Sequence, residues 1–152
     1  MLVKEQARHT ISPLPQSFAA LMEMYEYNYI LVRLLLGDVR RLKTAQVLHC
    51  GTCLPLQVQV KERSRHTTTL MLTYRFANSQ RRQRQKTGPD LLVRICHDAL
   101  QAEVIQHHCY MRSHDGNETA DSMLLCRWRM NRFLYKWINY LRNQGYEAGC
   151  NS

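Results

Sequence analysis

The chain has 152 residues, 45% hydrophobic and 22% charged, a balance that suits one folded domain and excludes a disordered one. Its longest apolar run, Ile30–Leu36, is interrupted by Arg33 and falls short of the roughly 20 residues that a membrane span needs. A formal charge of +9 favours an acidic partner such as RNA, DNA or an anionic surface, although a basic balance also serves plain solubility.

Residues 1–16 read as an irregular arm closed by Pro13 and Pro15. Lys4, Glu5, Arg8 and His9 stand where a signal peptide would carry its apolar stretch, which predicts a cytoplasmic protein. Ser17 is a suitable N-cap for a helix over Phe18–Leu36, whose apolar stripe is Phe18, Leu21, Met22, Tyr25, Tyr29, Val32 and Leu36. Gly37 supplies its stop.

A basic connector (Arg40, Arg41, Lys43) follows, and the pattern then changes from helical spacing to alternation. Ala45–Cys50, Leu54–Lys61 and Thr67–Phe76 read as three strands joined by Gly51-Thr52 and Arg63–His66. In the second, Leu56, Val58 and Val60 share one face while Gln57, Gln59 and Lys61 share the other. Residues 78–89 lack periodicity and hold the densest charge, Arg81, Arg82, Arg84 and Lys86, which predicts a loop.

The segment Leu91–Gln106 turns on itself around Asp98-Ala99. One register pairs Val93 with Val104, Ile95 with Ala102 and His97 with Leu100 on an apolar side, and sets Arg94 opposite Glu103 on the other. Ala99 suits neither two-residue hairpin turn, so a longer type I loop is expected. After a polar loop (Ser113–Thr119), a second helix starts near Asp121 or Ser122 and ends at Gly145. Its stripe is Met130, Phe133, Leu134, Trp137 and Leu141, with Arg127, Arg129, Arg132, Lys136 and Arg142 on its other faces. The expected class is α+β: an antiparallel sheet of about five strands with a long helix at each end of the chain packed on it. Residues 17–145 form the domain and 146–152 a tail.

The segment Val93-Arg94 … His97-Asp98-Ala99 … Ala102-Glu103-Val104 resembles the hairpin of the YqiB-like proteins, an uncharacterised bacterial family. Glu26-Tyr27-Asn28-Tyr29, Glu62 … Arg65-His66-Thr67-Thr68 and Asn131 … Phe133-Leu134 … Trp137 … Tyr140 are similar to further stretches of it, in the same order. The resemblance implies a bacterial, intracellular protein and brings no activity with it. The run Arg81–Lys86 and the pair Cys50/Cys53 depart from the family motif.

Three groups of residues carry candidate chemistry. Arg65, Arg94, His97, Asp98 and Glu103 place a histidine beside carboxylates, a set that can move protons or hold a small ligand. The plainer explanation is structural: His97 sits on the apolar side, Asp98 forms the turn, and Arg94–Glu103 is a cross-strand pair. Cys50 and Cys53 have the C-x-x-C spacing of half a zinc site or a redox pair, yet lie between strands with no second pair to complete a tetrahedron. Two cysteines flanking a tight turn is the default, and all six cysteines are expected as reduced thiols. Arg81, Arg82, Arg84, Lys86, Arg129, Arg132 and Lys136 can follow a phosphate backbone, with Tyr74, Phe76 and Trp128 to stack on bases; a solvated surface is the alternative. Asn28 and Asn131 lie beside the apolar stripes, where tying helix to sheet outweighs a binding role.

Two readings of function follow. The first is a non-catalytic binding or regulatory module whose partner is RNA or an acidic protein surface. The second is a small enzyme or ligand-binding protein using the hairpin residues Arg94, His97, Asp98 and Glu103. Neither calls for a cofactor.

Overall fold

Ser17 begins the first helix, α1 (Phe18–Leu36), with its hydroxyl accepting from the Ala20 amide at 3.1 Å. Gly37 ends it at φ +82°, a conformation a Cβ would disfavour, with its amide donating to the Arg33 carbonyl at 2.8 Å. A single 3₁₀ turn follows at Val39–Arg41, where the Asp38 carboxylate accepts from the Arg40 amide at 3.0 Å. The computed structural model describes residues 16–75, 90–105 and 120–148.

Five strands then run as an antiparallel meander: β1 (Ala45–His49), β2 (Leu56–Arg63), β3 (Thr67–Tyr74), β4 (Leu91–Cys96) and β5 (Gln101–Val104). The second helix, α2 (Ala120–Gln144), closes the layer. A sixth strand adds to the five expected from the sequence. Residues 146–152 read as a tail, but β6 (Glu147–Ala148) pairs with Leu48 and His49, so the order is β5-β4-β3-β2-β1-β6. Tyr146 is buried in the core and draws this edge in, a side chain that two-residue pairing alone does not reveal.

Alternation along the strands decides which face is covered. Leu48, Leu56, Val58, Leu70, Leu72, Leu91, Val93, Ile95, Ala102 and Val104 are buried and form one cluster with Val32 and Leu35 of α1 and Leu134, Ile138 and Leu141 of α2. Both helices therefore cover the same face of the sheet. The expected stripes need amendment. Phe18 is 65% exposed, because the first half of α1 meets α2 rather than the sheet, through Leu21, Tyr25 and Trp128. Phe133 is exposed, and Ile138 occupies the core position on α2 instead.

The β4–β5 hairpin adopts the register read from its two faces, with Val93 opposite Val104, Arg94 opposite Glu103 and Ile95 opposite Ala102. The loop is longer than two residues, running from His97 to Leu100. Leu100 does not join His97 on the apolar side: it turns out at φ +55° and is exposed. A left-handed residue at the end of the loop is what lets the strands rejoin, and it rotates that side chain away.

Cys50, Cys53 and Cys96 are free thiols, but Cys126 is disulfide-bonded, which corrects the expectation of reduced cysteines throughout. It lies in the first half of α2, where helical spacing does not mark a bonded cysteine. The arm 1–15, Phe76, the basic loop 78–89 and the loop 113–119 lie outside the described residues.

Two fully buried asparagines hold the layers together. Asn28 Nδ2 on α1 donates to the Asn131 carbonyl on α2 at 3.1 Å. Asn131 Oδ1 accepts from the Val104 amide of β5 at 2.8 Å, and its Nδ2 donates to the Arg127 carbonyl at 2.8 Å. An unpaired buried amide costs about 1–3 kcal/mol. Replacing Asn131 with alanine orphans the Val104 amide and opens a small void, so the unfolding free energy in urea is expected to fall by roughly 2–4 kcal/mol. A loss below about 0.5 kcal/mol would show that the tie is dispensable.

Candidate functional site

Two regions collect the chemistry-bearing side chains. The first is the end of the sheet where the β2–β3 turn (Ser64–His66) meets the β4–β5 loop. The His97 amide donates to the His66 carbonyl at 2.8 Å, which docks one turn on the other. His66 Nδ1 lies 2.6 Å from an Asp98 carboxylate oxygen, and Arg40 of the 3₁₀ turn approaches the same carboxylate at 3.8 Å. Arg63 donates to the Leu42 carbonyl and ties the 3₁₀ segment to β2.

The hairpin residues singled out in the sequence are divided by the pleat. His97 points into the core, buried, with Nε2 at 2.8 Å from the Thr68 hydroxyl. Arg94 and Glu103 lie on the opposite face, where Arg94 Nε donates to Glu103 Oε1 at 2.9 Å and a second guanidinium nitrogen reaches the same oxygen. Asp98 is on the turn and Arg65 is exposed in the neighbouring one. One ligand cannot touch both faces of a sheet, so these five do not converge. His66, Arg40 and Thr68 join this end of the sheet instead. Local sequence patterns do not pair them, because the contacts join segments far apart in the chain.

Burial lowers the pKa of His97, and repulsion from Arg40 adds to it; Asp98 opposes and Arg63 reinforces the shift. The ring is therefore held neutral near pH 7, as a structural hydrogen-bonding group.

The second region is the outer face of α2. Arg129, Arg132 and Lys136 are exposed at spacings of three and four residues, the arrangement that places them on one side. Phe133 (44% exposed) and Tyr140 (53%) interleave with them at the same helical spacing, and Tyr135 sits at their edge against Tyr27 of α1. The aromatics expected to stack are differently employed. Trp128 is 7% exposed and covered by the Arg132 guanidinium, 5.1 Å from its ring centre. Tyr74 accepts from Trp137 Nε1 at 2.9 Å, beneath the helix. Phe133 and Tyr140 are the exposed ones; a sharp helical stripe in the sequence would have found them, but α2 carries apolar residues on more than one side. Arg81, Arg82, Arg84 and Lys86 lie outside the described residues.

Cys50 and Cys53 flank the β1–β2 turn with their sulfurs 2.9 Å apart. Among the described residues no group of three histidines, cysteines or acids gathers around a common point. A groove runs along α1, lined by Phe18, Met22, Glu23, Glu26, Tyr27 and Ile30. No helix among the described residues is long and apolar enough to cross a membrane.

A family described as a protein of unknown function, DUF1249, matches residues 30–147, a span that holds the sheet, the hairpin and α2. No curated protein and no solved structure matches the chain.

The lowered pKa of His97 has a consequence for stability. The unfolded chain takes up a proton at His97 near pH 6.5, whereas the folded one resists until lower pH. Its contribution is thus complete above about pH 6.5 and is lost as pH falls from there toward the folded pKa. Urea midpoints measured from about pH 7 to about pH 5 are expected to decline in the parent and to decline less in His97→Gln. Identical slopes would remove His97 from the acid sensitivity.

Proposed function

The chain belongs to the DUF1249 family of proteins of unknown function, and on that premise we propose a non-catalytic binding module that receives single-stranded RNA on the outer face of α2. The observation that carries this reading is electrostatic. Between Ser122 and Gln144 the helix has five cations, Arg127, Arg129, Arg132, Lys136 and Arg142, and no carboxylate. Arg129, Arg132 and Lys136 have no carboxylate partner among the described residues. Like charges at these spacings oppose helix formation by about 0.2–0.5 kcal/mol per pair, and an anion laid along the face relieves that repulsion.

The exposed rings favour nucleic acid over an acidic protein as the occupant. Phe133 and Tyr140 lie between the cations, and a base stacked on an aromatic ring contributes about 1–3 kcal/mol while its phosphates reach the cations. RNA suits better than duplex DNA because rings of this kind engage unpaired bases. Arg81, Arg82, Arg84 and Lys86 belong to the same reading as further phosphate contacts. The hairpin motif supports a finer placement beside the YqiB-like proteins. The second reading, a small-ligand or catalytic site on the hairpin, has weaker support, since Arg94 and Glu103 engage each other and His97 is buried.

Fluorescence anisotropy with a mixed-sequence single-stranded RNA at several salt concentrations tests the proposal. Binding is expected to weaken steeply with salt. Replacing Arg129, Arg132 and Lys136 with alanine should lower the slope of log affinity against log salt by about 2, at roughly 0.7 per lost contact. Phe133→Ala should weaken binding without changing the slope, because stacking releases no counterions. Binding to an acidic peptide but not to RNA would overturn the choice of partner, and an unaltered slope in the triple variant would move the site off α2.

A further inference from the structure

The β1–β2 turn holds two free thiols that an interface on α2 leaves unused. The Cys53 amide donates to the Cys50 carbonyl at 2.7 Å, closing a β-turn in which Gly51 adopts φ +44°. Such a turn keeps its end Cα atoms within about 7 Å, and a disulfide spans about 4.4–6.8 Å between Cα atoms. With the sulfurs 2.9 Å apart, bond formation needs almost no rearrangement of the chain.

The pair is wired to the end of α2. Cys50 Sγ lies 2.7 Å from the carbonyl oxygen of Gln144, the last residue of the helix. Carbonyls in a final helical turn lack intrahelical donors, so the thiol hydrogen acts as a cap. Just beyond, the buried Tyr146 donates its hydroxyl to the Leu54 carbonyl at 2.6 Å, and Glu147–Ala148 pairs with β1. Burial pushes the Tyr146 phenol well up, so the group remains a donor. The turn and the C-terminal edge thus hold each other from both sides of the cysteine pair.

We propose that Cys50 and Cys53 form a redox-active dithiol, which a small disulfide such as oxidised glutathione converts to an intramolecular disulfide, releasing the cap on α2 and loosening β6. Cys53 is the more exposed thiol. It loses its proton to solvent, and the thiolate attacks one sulfur of the oxidant. The oxidant's S–S bond breaks, a mixed disulfide forms on Cys53, and one glutathione thiolate departs. Cys50 is deprotonated in turn and attacks the Cys53 sulfur, expelling the second thiolate. The two thiolates take up the two protons, so two electrons pass from the cysteine pair to the oxidant. Cys50 is the more buried thiol and the one engaged with Gln144, which makes it the second rather than the first nucleophile. Once the bond has formed, Cys50 has no hydrogen left to give Gln144.

The test is equilibration of the full chain in buffers of varied reduced-to-oxidised glutathione ratio, with alkylation of free thiols and peptide mapping. Alkylation at Cys50 and Cys53 should fall together, leaving a peptide that lacks two hydrogens. Cys50→Ser should accumulate glutathione on Cys53, since the resolving thiol is gone. Hydrogen exchange at Tyr146, Glu147 and Ala148 should quicken in the oxidised chain. Full alkylation of both cysteines at every ratio, or glutathione persisting on the unsubstituted chain, would overturn the disulfide. Unchanged exchange at those amides would overturn its coupling to α2.

Discussion

Asn131 touches every layer of the fold, through its side chain and its own backbone carbonyl. On α2 it accepts from the Val104 amide at the last residue of β5, while its own carbonyl takes a hydrogen bond from Asn28 of α1. Both asparagines are fully buried, where a polar group left unpaired is costly and a paired one is strongly directional. Apolar packing alone would let two helices slide over a sheet at little cost. A side chain that must meet one amide of one strand fixes the rotation of α2 about its axis. That rotation decides which residues face out.

What faces out is a row of cations and rings. Because Leu134, Trp137, Ile138 and Leu141 are pinned inward, Arg129, Arg132, Phe133, Lys136 and Tyr140 share the opposite side. Charge that is scattered in the chain becomes a stripe, and Phe133, a ring that the helical spacing assigns to the core, becomes surface. The hairpin works in the other direction. The same pleat that satisfies His97 with Thr68 inside and Arg94 with Glu103 outside separates groups that look like a site when written in a line.

Much of this architecture is legible in the residues, and the failures share a cause. The ends of α1 follow from Ser17 and Gly37, and the hairpin register follows from Arg94 facing Glu103 while Val93 faces Val104. These are local signals, read within one element or across one turn. Phe133 against Ile138, the burial of Trp128, and β6 with Tyr146 depend on how α2 is rotated and where its end docks. Those facts are set by partners about 30 to 100 residues away, which periodicity cannot see. The candidate sites divide the same way: Cys50 and Cys53 are neighbours in the chain and in space, whereas the pairing of His66 and Arg40 with Asp98 needed the fold.

The claim at the centre of this account is that the buried asparagine tie presents the outer face of α2 to single-stranded RNA. The most direct measurement is an amide NMR titration of the folded chain with a short single-stranded RNA. Shift changes are expected at Arg129, Arg132, Phe133, Lys136 and Tyr140, with Val104 and Asn131 little moved and still protected from exchange. Changes confined to the hairpin around His97 and Glu103, or none along α2, would contradict it.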